Sequence, residues 1–199
     1  MAKRAFDLLC AFVGLVALSP LLTIVALAIV LDDRGPPLFR QWRVGRRGAQ
    51  FRVCKFRTMR ASTDVTERRI TVGDDARITR IGRFLRRTKI DELPQLWNVL
   101  TGDMSIVGPR PEVPHFVAMY PEPVRSLILS LRPGITDAAS IRFVNESTLL
   151  GNAMDPERFY ADVILPEKLL MYEEYVRQRS FVGDIRIVLR TIGTILKVA

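Results

Sequence analysis

The chain has few of the residues that most often build metal centres or reactive thiol sites. It contains one histidine, His115, and two cysteines, Cys10 and Cys54, so a zinc site made of cysteine and histidine is not expected. We expect reduced thiols rather than a disulfide. The sequence has no Walker P-loop, no GxGxxG turn and no serine or cysteine nucleophile elbow. Their absence excludes the commonest nucleotide-binding loops and hydrolase sites.

Negative charge is scarce in one part of the chain. The net charge is +9, and residues 32–90 carry 17 lysines and arginines against 6 acidic residues. A local basic field of this size indicates an anionic partner, which could be a phosphorylated substrate, an acidic lipid surface or nucleic acid. The length of 199 residues is that of one domain with a sizeable core.

Only one long apolar run occurs, and residues 8–31 within it carry no charge. As a straight helix this run would reach ~36 Å, against ~30 Å for the hydrocarbon core of a bilayer. Three interpretations are open: a cleaved signal peptide, a spanning helix, and a re-entrant helix that enters and leaves on the same side. A small-x-small cleavage site exists at 26–28, but it lies inside the run, which counts against a signal peptide.

Ser19 and Pro20, near the centre of the run, favour the re-entrant helix. Pro20 has no N–H and its ring opposes the carbonyl of Val16, so we expect the helix to break or bend there. The Ser19 hydroxyl can satisfy a backbone group that this break frees. Basic residues flank the run on both sides, Lys3 before it and Arg34 after it. The positive-inside rule therefore favours both ends on the cytoplasmic side.

The remaining pattern predicts an α+β fold that is mostly helical with a small β-hairpin. Apolar strands at Leu38–Val44 and 51–56 flank a basic turn. Helices are expected around Ile81, from Asp91 or Glu92 to Leu100, over 122–131 and after Asp155, with a short strand at Ser105–Val107 and a loop over 60–75. A last helix, 184–198, is amphipathic and fits either the core or the membrane interface.

The segment 86–111 holds the residues with the clearest chemical potential. Asp91 and Glu92 are adjacent carboxylates in basic surroundings. Carboxylates at a helix start commonly cap backbone N–H groups and meet the positive end of the dipole. Alternatively, one could hold a divalent metal while its neighbour attacks phosphorus to give an acyl phosphate. The residues by themselves leave both roles open, and the two roles are compatible.

Four cations are candidates for binding phosphate. Arg110 stands between two prolines, which fix the backbone and present the guanidinium as a bidentate clamp. Lys55 and Arg57 share a face if the strand alternates regularly. Arg86 belongs to a basic helix face. For each of them, simple solvation at the surface is the alternative.

Together these segments resemble the bacterial sugar transferase family, the monotopic phosphoglycosyl transferases. The resemblance rests on the apolar helix with Ser19-Pro20, KFRTM at 55–59, the block FLRRTKIDELPQLWNVLTGDMSIVGPRP at 84–111, LRPGIT at 131–136 and the amphipathic tail. It covers nearly the whole chain and is closest to the minimal members, which lack added membrane or nucleotide-binding domains. Thr58 stands where the family more often has serine, and it keeps the hydroxyl.

The resemblance implies a membrane enzyme at the cytoplasmic face of the bacterial inner membrane. Such enzymes move a phospho-sugar from a UDP-sugar to a polyprenol phosphate, usually undecaprenyl phosphate, and release UMP as the first membrane step of glycoconjugate assembly. The resemblance also implies a monotopic arrangement, with a re-entrant membrane helix over 1–35 and a catalytic domain over 36–199. Membrane lipid is then a partner, nucleic acid is not, and a homodimer is allowed but not required.

For the site, the resemblance implies a ping-pong mechanism with Asp91 as nucleophile and Glu92 as ligand of Mg²⁺. Arg86 and Arg110 match positions that hold phosphate, and Lys55 lies in the matching basic motif. A competing class is a non-enzymatic, membrane-anchored basic module that binds nucleic acid or anionic lipid. That class explains the charge, but it does not explain carboxylates beside an arginine framed by prolines.

Overall fold

The fold is assembled along one long helix, α1 (Ala2–Asp33). The computed structural model describes residues 2–60, 72 and 75–198, so the loop predicted over 60–75 lies mostly outside the described residues. Within the described part, α1 is the one helix that is long and apolar enough to cross a membrane, judged by length and composition.

The chain stays helical at Ser19-Pro20, because α1 continues through Pro20 as one helix. The bend predicted there stays a prediction. Proline cannot donate to the carbonyl of Val16, which therefore loses its usual helical partner. The Ser19 hydroxyl donates to that carbonyl at 2.8 Å, and the Thr23 hydroxyl donates to the carbonyl of Ser19 at 2.9 Å. The predicted role of the Ser19 hydroxyl is thus confirmed, and it helps the helix to continue past the proline.

One face of α1 packs against the rest of the chain at both of its ends. Asp7 and Ala11 are buried near the start of the helix, and Val25 and Ile29 are buried near its end. The opposite face is apolar and exposed; it includes Leu9, Phe12, Val16, Ile24, Leu27 and Leu31. α1 therefore shares a core with residues beyond the boundary expected at residue 35, while an apolar surface remains without a partner in the described chain.

The predicted β-hairpin is present, with β1 (Leu38–Val44) antiparallel to β2 (Gln50–Phe56). Phe39 lies opposite Lys55 in the register. The turn is a short 3₁₀ segment, Arg46–Gly48, in which Arg47 has a φ of 58°. A left-handed residue inside a short loop is typical of tight hairpin turns. The hairpin places Lys55 near the end of β2.

The carboxylate pair lies on a turn between two helices instead of at the start of one. Thr79 caps the start of α2 (Arg80–Thr88), where its hydroxyl accepts from the N–H of Gly82 at 2.9 Å. After α2, Lys89 is left-handed and a 3₁₀ turn follows at Ile90–Glu92. α3 (Gln95–Thr101) starts only after Pro94 and ends at Gly102, as predicted. The expected helix from Asp91 to Leu100 is therefore shorter, and no side-chain cap is made at its N-terminus.

A second, parallel pair of strands supports the Pro-Arg-Pro loop. β3 (Ser105–Val107) pairs with β4 (Gly134–Thr136). A side chain at Gly134 would place its Cβ 2.2 Å from the backbone nitrogen of Gly108, so only glycine allows this close approach. The short strand predicted at Ser105–Val107 is confirmed.

The second half of the described chain is almost entirely helical. Its helices are α4 (Pro114–Val117), α5 (Val124–Ile128), α6 (Ala138–Arg142), α7 (Glu146–Gly151), α8 (Pro156–Phe159), α9 (Leu165–Gln178) and α10 (Phe181–Val198). A π-helical turn, Tyr160–Ile164, joins α8 to α9. The helix predicted over 122–131 is shorter, as α5. The expected α+β architecture, mostly helical with small sheets, is confirmed.

The residues of the terminal helix α10 face three different surroundings. One side is turned inward, with Asp184 buried and Thr191 bonded to Thr136 through their hydroxyls at 2.6 Å. A second side is apolar and exposed, formed by Ile185, Leu189, Ile192 and Leu196. At 100° per residue, Arg186 and Arg190 fall on a third side. A helix is present over the residues 184–198 predicted as helical, and its apolar side chains up to Leu196 are half-buried or exposed.

Candidate active site

The two carboxylates of the 3₁₀ turn have different surroundings. Asp91 is 8% exposed, and its Oδ1 is buried without a hydrogen-bond partner among the described residues. Glu92 is also largely buried, but both of its oxygens accept hydrogen bonds from cations. Asp91 is therefore the carboxylate that keeps an oxygen available for another group.

Glu92 joins two segments that are distant in sequence. The Lys55 amine on β2 donates to its Oε1 at 3.0 Å. The Arg110 guanidinium donates through Nη1 to Oε2 at 3.1 Å and through Nη2 to Oε1. Such a bidentate pair fixes the orientation of both planar groups. Three of the residues predicted for the site, Lys55, Glu92 and Arg110, are thus brought together.

Burial and charge set opposite directions for the two carboxyl groups. Burial and then repulsion from Glu92 raise the pKa of Asp91. Burial also acts to raise the pKa of Glu92, but Arg110 and Lys55 outweigh it and hold that pKa well below its usual range. The charge of Glu92 raises the pKa of Arg110 in turn. Glu92 is therefore the carboxylate that stays ionised, while Asp91 accepts a proton more readily.

Arg86 and Arg57 lie beside this cluster and make different contacts. The Arg86 Nε donates to the Thr58 hydroxyl at 2.9 Å, and its charge acts to lower the pKa of Asp91. Arg57 instead pairs with Asp33 at the end of α1, with Nη1 3.2 Å from Oδ2. Arg86 therefore contacts Thr58 and acts on Asp91 through its charge, whereas Arg57 contacts the end of α1. The predicted phosphate contacts of both remain predictions.

Several residues that support the site were missed from the sequence. The Arg43 Nη1 donates to the carbonyl of Pro111 at 3.2 Å and to Glu112 Oε2 at 3.4 Å. The Tyr160 hydroxyl also donates to Glu112. These contacts hold the segment that follows Arg110. The position of Glu112 directly after the Pro-Arg-Pro turn was an available signal, whereas nothing in the sequence pattern connects Arg43 or Tyr160 to it.

Asp137 is a buried carboxyl group whose charge acts on Arg110. It is 2% exposed and accepts from the backbone N–H and the hydroxyl of Ser140 at 2.9 and 2.5 Å. Burial raises the pKa of Asp137, and the charge of Arg110 acts to lower it. Arg110 therefore bonds to Glu92 and also feels the charge of Asp137.

The two carboxylates are compatible with Mg²⁺, and the ligand role of Glu92 stays a prediction. The described part contains no group of three or more histidine, cysteine or acidic side chains that could enclose a metal. Mg²⁺ commonly uses one or two carboxylates together with substrate phosphates, so such a cage is not required. The unpartnered Oδ1 of Asp91 suits this role. Glu92 would have to share oxygens that already accept from Lys55 and Arg110.

Comparison with known proteins decides the family. A profile described as bacterial sugar transferase matches residues 1–198. The chain belongs to the bacterial sugar transferase family. The match includes the Asp91–Glu92 turn, the Pro-Arg-Pro loop and all of α1.

Curated relatives of this bacterial sugar transferase have consistent names. An undecaprenyl-phosphate glucose phosphotransferase from Komagataeibacter xylinus is 43% identical over 96% of this chain and 35% of its own length. A UDP-glucose:undecaprenyl-phosphate glucose-1-phosphate transferase from Caulobacter vibrioides is 39% identical over 98% of this chain and 70% of its own length. An exopolysaccharide production protein, PSS, from Rhizobium leguminosarum is 42% identical, with 96% and 92% covered. The chain thus spans about a third of the first relative and most of the other two.

Proposed function

We propose that this bacterial sugar transferase moves a phospho-sugar from a UDP-sugar to a polyprenyl phosphate and releases UMP. The observation that carries this proposal is Asp91, a buried carboxylate with an unpartnered oxygen, next to an ion cluster of Lys55, Glu92 and Arg110. The relatives' names, which speak of glucose phosphate and undecaprenyl phosphate, support these substrate classes. The proposal leaves the sugar open.

Asp91 is the proposed nucleophile of the first half-reaction. One of its carboxylate oxygens forms a bond to the β-phosphorus of the UDP-sugar, and the bond from that phosphorus to the bridging oxygen breaks. The electron pair leaves with UMP, and the phospho-sugar stays on Asp91 as an acyl phosphate. Burial and the charge of Glu92 raise the pKa of Asp91, and the charges of Lys55, Lys89 and Arg86 act against them. These cations therefore favour the ionised form that attacks.

The second half-reaction restores the carboxylate. A phosphate oxygen of the polyprenyl phosphate attacks the same phosphorus, and the bond to Asp91 breaks. The product is a polyprenyl diphosphate-sugar, and Asp91 is again a carboxylate. Covalent capture lets one small site serve a soluble donor and a lipid acceptor in turn.

The cations of the cluster are the proposed phosphate ligands. Arginine carries five N–H donors, so Arg110 can keep a bond to Glu92 while another donor binds a phosphate oxygen. Lys55 and Arg86 add positive charge around the same carboxylates. Mg²⁺, when bound, would neutralise charge on the diphosphate, and Asp91 and Glu92 are the residues that would hold it.

We further propose that α1 is a re-entrant membrane helix with both ends at the cytoplasmic face of the inner membrane. The Arg4 guanidinium near its start donates to the carbonyl of Val99 at 2.7 Å, and Asp33 at its end pairs with Arg57. A helix that crossed the bilayer could not keep both ends on one folded domain. The exposed apolar face of α1 would then contact lipid.

The function is tested by UMP release from a panel of UDP-sugars, with undecaprenyl phosphate in membranes. The mechanism is tested by intact mass after incubation with the active UDP-sugar and no acceptor. We expect wild type to gain the mass of one phospho-sugar and Asp91→Asn to gain none. An Asp91→Asn protein that gained this mass would refute the nucleophile assignment. A non-enzymatic basic module predicts no UMP from any donor.

A further inference from the structure

We infer that Arg57 is a positioning residue that ties the end of α1 to the strand carrying Lys55, so that the site is assembled only when α1 is in place. The inference concerns the second arginine of the basic motif, for which the sequence predicted a phosphate contact. Its kinetic readout rests on the proposed function, whereas its structural readout does not.

The contact between Arg57 and α1 is close and mostly buried. The Arg57 side chain is 11% exposed, and Nη1 lies 3.2 Å from Oδ2 of Asp33. The guanidinium crosses the backbone where α1 ends: a Cβ added at Gly35 would lie 2.1 Å from Nη1 and 2.7 Å from Cζ. The backbone N–H of Arg57 also donates to the carbonyl of Pro37 at 2.8 Å. Both the side chain and the backbone of Arg57 therefore attach to the segment that leaves α1.

Four consecutive residues, the last two of β2 and the two that follow it, reach three other parts of the fold: the carboxylate turn, α1 and α2. Lys55 donates to Glu92, Phe56 packs in the core cluster that includes Val25 and Ile29 of α1, and Arg57 pairs with Asp33. Thr58 comes next and accepts from Arg86. Because these residues share one short stretch of backbone, a displacement at Arg57 moves Lys55 and Thr58 as well.

Thr58 extends the connection to α2 and to Arg86. The carbonyl of Thr58 accepts from the N–H of Thr79 at 3.0 Å, and a Cβ at Gly82 would lie 2.1 Å from that carbonyl oxygen. Any residue other than glycine at position 82 would collide with the backbone of Thr58, so α2 can lie this close only because of Gly82. The orientation of Arg86 consequently depends on where the backbone of Arg57 and Thr58 is held.

α1 combines an apolar surface with a contact to the backbone of the site. This helix has the exposed apolar face, and its end is fixed to the backbone that carries Lys55 and orients Arg86. The contact couples the helix proposed to lie in lipid with the geometry around Asp91 and Glu92. Arg57 acts on the reaction through Lys55 and Arg86, without contact to the diphosphate.

A double-mutant cycle on the full chain in lipid nanodiscs tests this. The variants are Asp33→Asn, Arg57→Gln and the double variant, and the control is Asp32→Asn, an exposed neighbour of the same charge. We expect each single variant to lower kcat for UMP release about tenfold, with KM for the UDP-sugar within twofold of wild type. The double variant should lose no more than the worse single variant, since both break one contact. Asp32→Asn should stay within twofold, and Arg57→Lys should recover part of the loss only when Asp33 is present.

A second measurement tests the coupling between α1 and the site without relying on enzyme activity. Hydrogen–deuterium exchange should rise at 53–60 and 84–93 in Asp33→Asn, but not in Asp32→Asn. Additive effects on kcat, or a raised KM with unchanged exchange, would overturn the inference and return Arg57 to direct phosphate binding. If wild type released no UMP from any donor, the proposed function would fail, while the exchange pattern would still decide the positioning role. Should Arg57→Gln fail to fold, Asp33→Asn against Asp32→Asn gives the same decision.

Discussion

Arg110 donates hydrogen bonds to Glu92 from both terminal nitrogens of its guanidinium, although the two residues are 18 positions apart in sequence. The contact joins the 3₁₀ turn that carries the carboxylates to the loop after β3. It also leaves Asp91 as the carboxylate whose buried Oδ1 has no hydrogen-bond partner in the part of the chain that the structure describes. The pair therefore assigns different chemical roles to two neighbouring residues that the sequence presents as equivalent.

Replacing Arg110 by lysine keeps the charge but cannot keep two parallel hydrogen bonds. One charge-assisted bond is worth about 1.5–3 kcal/mol, so we expect Arg110→Lys to lower kcat/KM for UMP release roughly tenfold to a hundredfold. Steady-state kinetics with the preferred UDP-sugar measures this. Arg125→Lys, an exposed arginine on α5, is the control and should be unchanged. Wild-type kinetics in Arg110→Lys would contradict a bidentate role.

Removing the charge of Glu92 tests the metal assignment. Glu92→Gln leaves the half-buried Lys55 and Arg110 with a neutral partner, so UMP release should fall about a hundredfold, because their charges are no longer compensated. If Glu92 also holds Mg²⁺, the concentration of Mg²⁺ for half-maximal activity should rise. If Asp91 is the sole carboxylate ligand, that concentration should stay the same while kcat falls. Titration of residual UMP release with Mg²⁺ separates the two outcomes.

Local patterns predicted the elements whose causes are local. Strand alternation and turn residues were enough for the hairpin, and Gly102 ends α3 with a φ of 97°, as a glycine stop should. The helix continues past Pro20 with the Ser19 hydroxyl on the freed carbonyl, which is the role that the sequence predicted for this hydroxyl. The helix start at Asp91 was misjudged because left-handed Lys89 first turns the chain.

Contacts between residues distant in sequence limit how much of the site could be predicted. The residue pattern singled out Lys55, Glu92 and Arg110, the family resemblance gave them expected roles, and the structure joins them. Arg57 was expected beside Lys55 by alternation, but β2 ends at Phe56, so the alternation no longer decides where its side chain lies. The contact with Asp33 spans 24 positions and leaves no periodic pattern in the sequence.

Ser19 offers a direct test of how α1 passes through its proline. Ser19→Ala removes the donor to the Val16 carbonyl, which should cost about 1 kcal/mol. For a chain of this size that is a fall of about 2–4 °C in Tm. Thermal unfolding in detergent micelles measures it. Ser19→Thr retains a hydroxyl and should keep most of the stability; an equal loss in both variants would refute the proposed compensation.

Asn98 should be a sensitive position, although it lies outside the reacting groups. It is 4% exposed, its Oδ1 accepts from the N–H of Cys54 and its Nδ2 donates to the carbonyl of Arg52, both at 2.9 Å. Asn98→Ala would leave two buried groups of β2 without partners, at about 1–3 kcal/mol each. We expect a fall of several degrees in Tm, by thermal unfolding, against no change in Asn152→Ala, an exposed asparagine. A stable Asn98→Ala protein would show that solvent reaches this edge of β2.

The exposed apolar side of α10 predicts contact with lipid. Leu189 is 64% exposed, and its neighbour Arg190, also exposed, lies 100° around the helix on the polar side. In a Cys10→Ala background, a fluorophore on Leu189→Cys should be quenched by brominated lipids in nanodiscs, while one on Arg190→Cys should be quenched much less. Burying one leucine in the interface contributes about 1.5–3 kcal/mol, so Leu189→Glu should also weaken quenching at a label on Leu196→Cys. Equal quenching at positions 189 and 190 would mean that α10 lies clear of the bilayer, and that its apolar side serves another contact.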